Sequence, residues 1–63
     1  MLKVVVAEWG GQELDRFPVD IDQDYPHARP VRDEDFFAVA KWFLINRGVR
    51  SATVDAAVFR FLE

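Results

Sequence analysis

Between Asp33 and Gly48 the chain reads DEDFFAVAKWFLINRG, and its apolar residues recur with the period of an α-helix. At about 100° per residue, Phe36, Val39, Ala40, Phe43 and Arg47 fall along one line, with Phe37 and Leu44 widening it. This is the expected core face. On the opposite side, Ala38, Trp42 and Ile45 form a second apolar stripe at i, i+4, i+7 spacing, set among Glu34, Asp35, Lys41 and Asn46. A helix that is apolar on two sides has to be covered on two sides. Asp33 is the expected N-cap, Glu34 and Asp35 suit the positive end of the helix dipole, and Arg47 followed by Gly48 marks the stop.

Upstream, KVVVAEW (Lys3 to Trp9) is β-branched and ends at Gly10-Gly11, a pair that permits positive φ at both positions of a tight turn. Its partner starts near Gln12 to Leu14 and continues through Phe17, Val19 and Ile21, which alternate with Pro18 and Asp20. Pro18 cannot donate to a ladder, so this is an edge strand. A loop of Gly10-Gly11 alone sets Glu8 against Glu13 and Val6 against Asp15, which is poor pairing. A loop from Gly10 to Glu13 sets Val6 against Phe17, Val4 against Val19 and Trp9 against Leu14, and is the register expected.

From Asp20 to Arg32 two prolines and alternating charges predict a long irregular connection. After Gly48, VRSATVDAAVFRFLE fits two patterns. As a helix from about Ala52 it aligns Val54, Ala57, Val58, Phe61 and Leu62; as a strand it aligns Ala57, Phe59 and Phe61 on one side, with Arg60 interrupting the other. The helical fit is cleaner. The expected fold is α+β: an N-terminal β-hairpin, a long connecting loop, then two helices joined by a tight glycine turn. The alternative is a three-stranded sheet covered by one helix, ββαβ, with the apolar first strand in the centre. Either is a single small domain over residues 1–63.

A domain of this length buries only about 60% of the surface its unfolded chain exposes. With no cysteine there is no disulfide to supplement that core, which leaves good packing or self-association. The composition, 51% hydrophobic and 14% aromatic, is that of a folded chain. A net charge of −3 supplies no general attraction for nucleic acid or an anionic membrane. The apolar run from Phe36 to Ile45 falls well short of the roughly 20 residues that span a bilayer, and Val4 to Ala7 is too brief for a signal-peptide core. The cytoplasm is the expected location.

The segment GVRSATV, Gly48 to Val54, resembles the turn and early second helix of bacterial helix-turn-helix DNA-binding domains. Gly48 occupies the turn, Val49 follows it, and Val54 and Ala57 stand at packing positions. The pattern departs where Leu44 replaces a small residue and Arg47 an apolar one. The resemblance implies that Arg50, Ser51 and Ala52 would approach nucleic acid, joined by Asp55 and Ala56. Arg50 alone supplies positive charge there, and Asp55 is repelled by phosphate.

Other chemistry is sparse. Asp20, Asp22 and Asp24 begin like a calcium loop, but Tyr25 and Val31 hold the positions that need glycine and glutamate. His27 is the single histidine and Ser51 the single serine, and no phosphate-loop or dinucleotide fingerprint is present. No metal, cofactor or catalytic residue is expected, and an enzymatic role is not the expectation. What the sequence does offer is a surface. Ala38, Trp42 and Ile45 point to a small interaction or assembly protein that self-associates or docks on a protein partner, with a helix-turn-helix-like DNA-binding domain as the alternative.

Overall fold

Gly10 and Gly11, at φ +60° and +79°, close a two-residue turn between strands β1 (Leu2–Trp9) and β2 (Gln12–Asp20). Positive φ at both centres matches the right-handed twist of the flanking strands. The computed structural model describes residues 1–21 and 31–62. After the hairpin come helix α1 (Asp33–Asn46), the short helix α2 (Ser51–Ala56) and strand β3 (Val58–Phe61). The three strands form one antiparallel sheet in the order β2-β1-β3, with α1 packed on one face.

β1 takes the centre because it is apolar on both faces. Val5 and Ala7 point toward α1 and Val6 points away, and all three are fully buried. Val5 and Ala7 join Phe17 and Val19 of β2, Phe36, Ala40 and Leu44 of α1, and Val54 of α2 in one core. Phe36 meets Phe61 edge-on at 5.7 Å, and Phe17 lies 5.4 Å from Phe43.

The hairpin register differs from the expected one. Trp9 faces Gln12 and Glu8 faces Glu13, then a bulge at Leu14 shifts the ladder so that Ala7 faces Asp15 and Val5 faces Phe17. One extra residue turns Phe17 and Val19 onto the helix side, which the two-residue turn alone would not do. The like charges of Glu8 and Glu13 are separated by their own partners: Arg60 donates to Glu8, and Arg16 donates to both oxygens of Glu13 at 3.0 and 2.6 Å. Arg16 and Arg60 are the cross-strand neighbours of Val6 on the face away from α1. Their stems, tethered by the two glutamates, flank Val6 on a face that no helix covers among the described residues.

α1 begins one residue earlier than expected. Arg32 is the N-cap, and its amide donates to Asp35 Oδ2 at 2.8 Å. The helix ends as Gly48 predicts: at φ +87° its amide donates to Ile45 O, and the Val49 amide reaches back to Leu44 O. These are the two bonds of a Schellman motif, which the left-handed glycine permits. The Arg47 side chain returns over β2, pairing with Asp15 and stacking 4.7 Å above Phe17.

The final segment divides between the two patterns. The tight glycine turn and second helix are present, but the helix ends at Ala56, Ala57 turns extended at ψ 148°, and the chain joins β1 as a third strand. The free edge of β1 offers Val58 to Phe61 a ladder and a core for Phe59 and Phe61 that a continued helix would forgo. Arg60, which interrupts the apolar pattern, faces the far side and reaches Glu8.

Candidate protein-docking surface

The direction of α1 follows from its buried residues. Phe36, Ala40 and Leu44 face the sheet, so Ala38, Trp42 and Ile45 stand on the outer side. All three are exposed, Trp42 to 60% and Ile45 to 54%. The Trp42 ring rests at 5.6 Å from Phe43, and its carbonyl accepts from Asn46 Nδ2 at 2.9 Å. Neither contact covers the outward face of the indole.

Beside this stripe a cleft of about 260 Å³ runs between α1 and the end of α2 with β3, lined by Glu34, Phe37, Ala38, Lys41, Ala57 and Phe59. Its floor is aromatic: Phe37 stacks on Phe59 at 6.1 Å and lies tilted against Phe61 at 5.0 Å. Lys41 holds its ammonium 5.8 Å from the Phe59 ring centre, an arrangement of cation over π-face. Ala38 belongs to both the stripe and the cleft, so the two form one continuous surface with acidic and basic groups on its margin.

Arg50, Ser51 and Ala52 are exposed at the start of α2. That helix has six residues, little more than a turn and a half, and runs straight into the sheet. Asp22, Asp24, Tyr25 and His27 lie outside the described residues. Among the described residues no helix is long and apolar enough to cross a membrane.

No family model, no curated protein and no solved structure matches this chain.

An ion pair braces the hairpin. A hydrogen bond from Arg16 holds the Glu13 carboxyl below its ordinary value, and the same bond raises the Arg16 guanidinium. Both are solvent-exposed on the hairpin, away from the cleft. The other paired charges also brace the fold: Lys3 sits 3.9 Å from Asp33 and 4.5 Å from the Phe61 ring centre, clamping the start of α1 to the sheet.

Besides the stripe, Met1, Leu2, Trp9, Leu14, Val58 and Leu62 are exposed, and of these Leu2, Val58 and Leu62 stand on the sheet face away from α1. For Val58 and Leu62 this exposure depends on the last segment being a strand. Read as a helix, Val58 and Leu62 belonged to a core face.

Proposed function

We propose that this chain is a small non-enzymatic interaction or assembly protein that self-associates or docks on a protein partner through Ala38, Trp42 and Ile45. The observation that carries the reading is the exposure of Trp42, 60%, on a helix whose inner face is already closed against the sheet. Tryptophan is among the residues most enriched at binding hot spots, and its indole combines a large apolar area with few rotatable bonds. Burying what remains exposed of Trp42 and Ile45 contributes on the order of 1–2 kcal/mol each, so the margin of the site has to add contacts for a tight complex. Glu34 and Lys41 are placed to do so with a partner of matching charge.

Sedimentation of the wild-type chain and of Trp42→Glu, each purified and each in an extract of its own cells, tests the reading. The wild type is expected to run heavier than the variant in at least one of the two settings. Identical profiles in both contradict it.

A further inference from the structure

The sheet has two edges, and they are built differently. On β2 the Ile21 amide donates to Met1 O; by the alternation of an antiparallel ladder, Val19 and Phe17 also bond inward and Pro18 turns its nitrogen outward. That edge therefore lacks a donor where a neighbour would need one, and the bulge at Leu14 interrupts it further. On β3 the Leu62 amide donates to Val4 O, so Arg60 and Val58 bond inward and the N–H and C=O groups of Phe59 and Phe61 point outward. β3 carries no proline, and its ladder to β1 runs without a register shift. Among the described residues one edge is blunted and the other is open.

We propose that a second copy of this chain adds to β3 in antiparallel fashion, about a twofold axis at Phe59, to make a continuous six-stranded sheet. Two registers keep all four residues of β3 paired with outward groups meeting outward groups. One is centred on Arg60 and sets that arginine directly opposite its own copy, a like-charge pair. The other is centred on Phe59 and sets Val58 opposite Arg60 twice, Phe59 opposite Phe59, and Ala57 opposite Phe61. Charge selects the second. There the half-buried Phe59 gains an aromatic neighbour, the exposed Val58 gains the stem of an arginine already held by Glu8, and no like charges face each other. This dimer leaves the α1 stripe free and presents it twice on one side of the enlarged sheet, so it goes beyond the reading above and does not depend on it.

The test uses Val58, which is 64% exposed and so tolerates replacement. In the selected register Val58→Lys sets a lysine against Arg60 of the other copy at two places, and Val58→Glu sets a carboxylate there. With two pairs per dimer, the dimer should weaken or tighten about 2- to 30-fold in those opposite directions. Inside one protomer Val58 faces Glu8, so each substitution moves the stability of the monomer the other way. Sedimentation of the purified chain should show a dimer that Val58→Lys weakens, Val58→Glu strengthens and Trp42→Glu leaves intact. Hydrogen exchange at the Phe59 and Phe61 amides should slow as protein concentration rises. A chain that stays monomeric to about 1 mM overturns the proposal and leaves the edge to a foreign strand. So does a dimer indifferent to both Val58 variants, or one whose Phe59 and Phe61 amides exchange at a rate independent of concentration. Loss of the dimer in Trp42→Glu alone assigns the contact to α1, which supports the docking reading and refutes this one.

Discussion

Leu44→Ala and Trp42→Ala truncate two side chains two residues apart on one helix, and their consequences should differ severalfold. Leu44 is almost fully buried among Val5, Ala7, Phe17 and Val54, where removal of its isobutyl group leaves a cavity that a sheet on one side and α2 on the other cannot readily close. Such truncations lower stability by about 2–5 kcal/mol. At roughly 0.05–0.15 kcal/mol per residue a domain of this size has about 3–9 kcal/mol in all, so the variant stands near the limit of folding. Trp42 has far less to lose. Its one ring contact among the described residues, with Phe43, is tilted, and a fully formed aromatic pair contributes about 0.5–1.5 kcal/mol. Alanine's better helix propensity returns a few tenths of a kcal/mol, about 0.5 at most. The expected loss for Trp42→Ala is below about 1 kcal/mol. Urea titrations followed by far-ultraviolet circular dichroism, on dilute protein to exclude association, measure both. With a slope near 1 kcal/mol per molar urea, the midpoint should fall by about 2 M or more for Leu44→Ala and by less than about 1 M for Trp42→Ala. Equal falls would refute the reasoning, because Trp42 would then belong to the core.

Gly48→Ala should destabilise by about 1 kcal/mol or more, since alanine has to adopt φ +87° to keep the Schellman bonds; thermal unfolding measures it. Arg60→Ala should uncover Val6, and because that loss is one of packing, the destabilisation should persist in 1 M salt, where the Debye length falls to about 3 Å. The Glu13 carboxyl should titrate below 4.5 by NMR. Its pKa is depressed in the folded state, so what it contributes is present above the unfolded value and is lost as pH falls through the folded one. Glu13→Gln should remove that acid-limb dependence from the stability curve and leave the rest unchanged.

How far the sequence carries toward the fold differs from element to element. α1 was legible nearly to the residue because it holds its own signals: three acids at the start, a glycine at the end, and a period that separates Phe36, Ala40 and Leu44 from Trp42 and Ile45. The hairpin was legible as an element but not in register. Gly10-Gly11 announces a turn; nothing local announces that Leu14 bulges, because the bulge is set by the need to turn Phe17 and Val19 toward a helix much later in the chain. The last segment was hardest. SATVDA favours helix and VFRF favours strand, and a single periodicity fitted across both merges two elements that Ala57 separates. Only the unfilled edge of β1 decides the issue, and that is a tertiary fact. The same dependence hid the open edge of β3, whereas the stripe on α1 needed only the helical period to be found.

The most direct measurement places a photo-crosslinking amino acid at Ala38, the exposed residue shared by the stripe and the cleft, and irradiates cells that make the chain. A discrete covalent adduct is expected, with a second copy or with one foreign protein, that disappears when Trp42→Glu is added. No adduct from Ala38, or one that survives Trp42→Glu unchanged, would contradict the docking reading.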